Sequence, residues 1–141
     1  MIQVILGDKG SGKTKRLIDL ANESLKQEHG DIIFIDDDKR YMYDLRHEIR
    51  FVDASEYPVV HKSTANEMLS FMCGMLSANF DISLIAMDAF VKLVRTPLDD
   101  PEMQVFFEKL EALSQAHHCN FLISVSAPSA SVPEYIRKYA I

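Results

Sequence analysis

A chain of 141 residues, 48% hydrophobic and 26% charged, has the makeup of one globular domain with a core of its own, here taken as 1–141. Its formal net charge is −6, and its basic residues cluster only in pairs such as Lys15-Arg16 and Lys39-Arg40, which argues against broad contact with nucleic acid or an anionic membrane. No stretch approaches the roughly 20 apolar residues of a membrane span, and the N-terminus lacks a signal-peptide layout, so a cytoplasmic protein without membrane contact is expected.

In chain order, Ile2 to Leu6 is a short, mostly apolar run ended by glycine, which predicts a strand buried on both faces of a parallel sheet. A glycine-rich loop follows, and from Lys13 to His29 the residues Leu17, Ile18, Ala21 and Leu25 recur at helical spacing, with Gly30 as a stop. Ile32 to Ile35 predicts a second strand ending in Asp36-Asp37-Asp38. Tyr41 to His47 reads as a short helix and Ile49 to Val52 as a brief strand. Thr64 and Glu67 form a capping-box pattern ahead of a helix over 65–79, in which Met68, Met72 and Met75 make a stripe that predicts core packing. Ser83 to Met87 predicts a third buried strand, delivering Asp88 at its end. Asp100 with Pro101 starts another helix that runs to about His118. Phe121 to Val125 is the last clear strand, and Glu134 to Ala140 closes the chain with one or two helical turns. Alternating strands and helices predict a three-layer α/β/α domain with a mainly parallel sheet of four or five strands. Cys73 and Cys119, far apart and in apolar settings, read as small buried hydrophobes rather than a disulfide or zinc framework.

The loop "GDKGSGKT" fits G-x-x-x-x-G-K-[ST] between a strand and a helix, the setting in which that pattern has a physical meaning. Its glycines allow positive φ, so backbone N–H groups can turn inward at the positive end of the helix and cradle phosphate. Gly7, Asp8, Lys9, Gly10, Ser11, Gly12, Lys13, Thr14 and Lys15 are the candidate nucleotide-binding residues. Lys13, read as an exposed loop lysine, would reach the β and γ phosphates, and Thr14 would offer its hydroxyl to Mg²⁺.

The segment resembles the Walker A loop of the P-loop NTPase superfamily over the first 30 residues. That resemblance implies a parallel sheet with the nucleotide at the C-terminal ends of its strands, and a Walker B strand ending in Asp. "SLIAMDAF" fits the second motif, with Asp88 as the carboxylate that orients Mg²⁺ through water, and Lys13 and Asp88 as the residues of catalysis. Many members with an additional strand beside the P-loop strand carry a catalytic Glu directly after that Asp. Ala89 stands there in this chain, which puts efficient hydrolysis in doubt.

Within the superfamily, no N-K-x-D type guanine signature is present, which favours ATP over GTP. The signature lysine of partitioning ATPases is replaced by Asp8, and two cysteines cannot build the four-cysteine zinc site of the thymidine kinases that share the "SGKT" run. Hexameric motors and helicases need more chain. The expected function is therefore a Mg-ATP-binding protein acting as a slow ATPase or nucleotide-dependent switch, with a protein partner or homo-oligomer as the reader of its state. The first alternative is a small-molecule or nucleotide kinase. It would bind its acceptor at the Asp36 to Arg40 tip, although three successive aspartates read more simply as a solvated turn, and Arg95 is its candidate charge clamp. The second is an interaction module whose loop is vestigial. Ser124 and Ser126 occupy the place of a γ-phosphate-sensing polar residue as readily as they merely end a strand. His117, His118 and Cys119 read as a helix end.

Overall fold

A computed structural model describes residues 1–27, 29–58 and 60–141. In chain order its elements are β1 (Ile2–Gly7), α1 (Lys13–Ser24), β2 (Asp31–Asp36), β3 (Arg50–Asp53), α2 (Ala65–Ala78), β4 (Ile82–Met87), α3 (Phe90–Leu93), α4 (Pro101–His117), β5 (Asn120–Ser126) and α5 (Glu134–Arg137). Short 3₁₀ turns at Met42–Asp44, Ala54–Glu56 and Ser129–Ser131 complete the described structure. The strands form one five-stranded sheet in the order β1-β5-β4-β2-β3, with every pairing parallel.

The pleat of these strands splits the core into two layers. Val4, Ile33, Ile35, Ile85, Phe121 and Ile123 face α2, α4 and α5, where Phe106, Phe107 and Phe90 pack ring against ring. Ile5, Ile32, Phe34, Leu84, Ala86 and Leu122 face α1, packing on Leu17, Ile18 and Ala21. A continuous apolar run is what a sheet covered on both faces favours, and Ile32 to Ile35 of β2 and Leu84 to Met87 of β4 read that way. The expected three-layer α/β/α architecture is present. β1 lies at a sheet edge, and that edge is closed by the end of the chain: Val4 N–H donates to Tyr139 O at 2.9 Å and Ile141 N–H to Val4 O at 3.0 Å. Such cover removes a template for unwanted strand pairing. No helix among the described residues is long and apolar enough to cross a membrane.

The helix starts agree with their sequence signals. Thr64 accepts from Glu67 N–H while Glu67 accepts from Thr64 N–H, completing the capping box, and Asp100 caps α4 through Glu102 N–H with Pro101 in the first turn. Met68 and Met72 are fully buried and Met75 half-buried against the same cluster, so the methionine stripe is core. Cys119 is buried, whereas Cys73 is only half-buried.

Other boundaries differ from the sequence expectation. α1 stops at Ser24 rather than His29, because the N–H groups of Leu25, Lys26 and Gln27 bond to the carbonyls three residues back and tighten the winding. Glu28, inside the expected helix, lies outside the described residues. Tyr41 to His47 contains only the single turn Met42–Asp44, and the final helix ends at Arg137. The four-residue α3 was not expected, since one turn is too short to show periodicity.

Candidate functional site

The loop after β1 is built by two glycines in the left-handed region. Gly10 has φ +81° and Gly12, the residue before α1, has φ +88°, values that a side chain makes costly. Gly7 does not need positive φ. A Cβ there would come too close to Ser11 Oγ, so the serine side chain would have to turn away to admit one. The turn is closed by Ser11 N–H donating to Asp8 O at 3.1 Å.

Lys13, in the first turn of α1, is buried rather than exposed, which corrects the sequence expectation. Its Nζ folds back over the loop and donates to Asp8 O at 2.6 Å and to Ser11 Oγ at 3.4 Å. The next residue points toward the sheet. Thr14 Oγ1 donates to Asp88 Oδ2 at 2.9 Å, joining two residues 74 positions apart. Asp88 follows β4 and is itself buried. Its other oxygen, Oδ1, accepts from Ser124 Oγ at 2.5 Å, and Ser124 Oγ in turn accepts from Ala89 N–H at 3.1 Å. A further bond from Asp88 N–H to Ile35 O, 2.9 Å, ties the end of β4 to β2. Ser124 thus fixes the orientation of Asp88, and β5, which carries it, lies between β1 and β4.

Ala89 has φ +54°, left-handed backbone at a residue with a Cβ. The turn after Asp88 is therefore strained, and its main chain, not a side chain, faces Ser124.

These groups line a cavity of about 1060 Å³ at the C-terminal ends of β1, β2, β4 and β5. That position, outside the carboxyl ends of parallel strands, is where open α/β sheets hold ligands, and the volume lies just above the usual range for small-molecule sites. Lys9, Gly10, Gly12, Lys13, Thr14, Lys15 and Asp88 of the expected set line it, while Gly7, Asp8 and Ser11 shape the loop behind. Lys15 is exposed and pairs with Asp19 at 2.9 Å.

The sequence reading named part of the far wall only in its kinase alternative. Asp36, expected in a solvated turn, is the last residue of the interior strand β2 and only 1% exposed. Its Oδ1 accepts from Asp37 N–H at 2.7 Å, and its Oδ2 has no hydrogen-bond partner. Burial above all, then the neighbouring Asp37 carboxylate and repulsion from Asp88, pushes its carboxyl up to about 8, while the bond from Asp37 N–H acts the other way. Asp37, Asp38, Arg40, Tyr41 and Asp44 continue this wall, with Val91 and Lys92 of α3 opposite. The cavity lining carries the carboxylates of Asp19, Asp36, Asp37, Asp38, Asp44 and Asp88 against the cations Lys9, Lys13, Lys15, Arg40 and Lys92.

Other candidates lie elsewhere. Arg95 does not line the cavity: its guanidinium donates to Lys62 O at 2.9 Å and sits 3.7 Å from Glu67, so it holds the start of α2. Ser126 is exposed at the cavity rim. His118 ends α4 with φ +51° and Cys119 is buried, an ordinary helix end.

The hard oxygen donors Thr14 and Asp88 suit Mg²⁺, and the loop N–H groups beside Lys13 suit phosphate. The protein-family models contain no match to this chain, and a comparison with curated proteins also found none.

Proposed function

We propose that this chain is a P-loop protein that binds Mg-ATP and acts as a slow ATPase or nucleotide-dependent switch in the cytoplasm. The observation that carries the reading is the pairing of Lys13 and Thr14, adjacent at the start of α1, with Asp88 at the end of β4: the lysine closes on the phosphate loop while the threonine hydroxyl meets the carboxylate at 2.9 Å. In this reading the loop N–H groups and Lys13 hold the β and γ phosphates. Thr14 and Asp88 hold Mg²⁺, which neutralises phosphate charge when bound. Lys13 would then exchange its contact with Asp8 O for phosphate oxygen.

Slow turnover follows from position 89. Ala89 offers no carboxylate to a water molecule, and Arg95 lies outside the lining of the cavity, away from a transferring phosphoryl group. The strained turn at Ala89 continues into α3, whose Val91 and Lys92 line the same cavity, so the phosphate state has a short path to the surface that a partner or second copy could read. Mixing excess protein with labelled ATP tests this directly: bound ATP should persist over many minutes. Fast unstimulated release of phosphate would overturn the switch.

A kinase is the second reading. What favours it is the extension of the cavity beyond the loop along Asp36 to Asp38, Arg40, Tyr41 and Asp44, where an acceptor could lie. ADP formation that requires an added metabolite would move this reading to first place.

A further inference from the structure

We propose that Asp36, Asp37 and Asp38 form a binding site for a divalent cation of the Mg²⁺, Mn²⁺ or Ca²⁺ type, distinct from the Thr14 and Asp88 pair. One carboxylate oxygen from each of the three residues lies within 4.8 Å of the others, close enough to share one ion. The cluster alone would be unremarked, because acidic groups at a strand end are common. The second observation is Asp36 itself: it is 1% exposed, lines the cavity, and keeps Oδ2 without a hydrogen-bond partner. A buried carboxyl oxygen without a hydrogen-bond partner is costly, and a cation that displaces the proton Asp36 holds at neutral pH supplies the missing interaction.

The rest of the geometry fits a hard cation. Asp36 Oδ1 is engaged by Asp37 N–H at 2.7 Å, which fixes the carboxyl plane. Asp38 is anchored through Oδ1, which accepts from Arg40 N–H at 2.8 Å, while its Oδ2 has only the long, exposed contact of 3.5 Å to the Arg40 guanidinium. That weak pair is readily exchanged for a metal ion. Three carboxylates with water completing the shell match the oxygen preference of Mg²⁺, Mn²⁺ and Ca²⁺, and the absence of His or Cys from the cluster disfavours zinc.

A cation here would also alter the charge of the cavity. Asp36 to Asp38 face the same space as the phosphate loop, and neutralising them lowers the repulsion that a polyanion entering it must overcome. Cation and nucleotide should then favour each other by the same factor. The site itself requires no nucleotide, so it stands whether or not the chain binds ATP.

The test uses the full chain, stripped of metals and nucleotide, titrated with Mn²⁺ while the spectrum of the free ion is followed by electron paramagnetic resonance. The expected result is about one bound Mn²⁺ per chain, with affinity lowered roughly tenfold or more in the double variant Asp37→Asn/Asp38→Asn and by less than about twofold in Asp88→Asn. Asp37 and Asp38 are only half-buried, so the double variant keeps its fold, which a thermal melt checks; it serves even if Asp36→Asn misfolds. No Mn²⁺ binding at millimolar concentrations, binding untouched by the double variant, or a loss seen only in Asp88→Asn would each overturn the proposal.

Discussion

Asp36→Asn should make the metal-free protein more stable at alkaline pH, in contrast to most changes at buried polar positions. The parent carboxyl is pushed up to about 8, chiefly by burial, while in the unfolded chain it titrates in the ordinary carboxylate range. Because the folded value is the higher one, the native state keeps a proton that the unfolded state has lost. Stability therefore falls as pH rises from about 4 toward 8, then levels off. A gap of about four pH units at about 1.4 kcal/mol each sets a ceiling near 6 kcal/mol, and water at the open side of the cavity reduces this to roughly 2–3 kcal/mol. Asparagine carries no charge to desolvate, and its carbonyl can still accept from Asp37 N–H. Urea unfolding of parent and variant at pH 5 and pH 8, with a chelator present, should show a difference growing by about 2 kcal/mol in favour of the variant. A constant difference across that range, or a variant that loses stability as pH rises as steeply as the parent, would refute the buried, unpartnered carboxylate.

Asp88→Asn should weaken Mg²⁺-dependent nucleotide binding by roughly tenfold or more and the Mg²⁺-free part much less, as calorimetry with and without the metal would show; equal losses would make the aspartate structural. Ala89→Gly should raise stability by about 0.5–1 kcal/mol, since the left-handed conformation at φ +54° costs alanine more than glycine loses in chain entropy, and a lower urea midpoint would count against strain there. Thr64→Ala removes the cap on Glu67 N–H and should cost about 1 kcal/mol in the same assay, with no change in nucleotide affinity.

How much of this was legible in the sequence depended on whether the signal was local. Buried strands announce themselves by largely apolar runs, so Ile2 to Leu6, Ile32 to Ile35 and Phe121 to Val125 fall within β1, β2 and β5. The loop residues Gly12, Lys13 and Thr14 were marked by their spacing and the strand-end Asp88 by its resemblance to a Walker B carboxylate, and the fold brings Thr14 onto Asp88. Asp36 was misjudged because burial at that position is decided by sheet order. With β4 on one side and β3 on the other, the tip of β2 is interior, whereas in sequence it is simply the first of three acidic residues. Arg95 was misjudged for the same kind of reason: its partners, Lys62 and Glu67, come from the segment that meets it only after folding. Ser124 read as readily as a strand terminator as a γ-phosphate-sensing residue, and only the placement of β5 beside β4 turns it toward Asp88.

The central claim is that the loop between β1 and α1 is a working nucleotide site, and thermal melts with Mg-ATP, Mg-ADP and Mg-GTP on the parent and Lys13→Ala test it most directly. Loss of the lysine should itself cost only about 1 kcal/mol, because Asp8 O still accepts from Ser11 N–H. ATP at about 100 times its dissociation constant should stabilise the parent by roughly 2.7 kcal/mol, a rise of several degrees, with a smaller rise for GTP. The account predicts that the ATP shift disappears in Lys13→Ala measured against its own baseline. An undiminished shift in that variant, or no shift with any nucleotide in the parent, would contradict it.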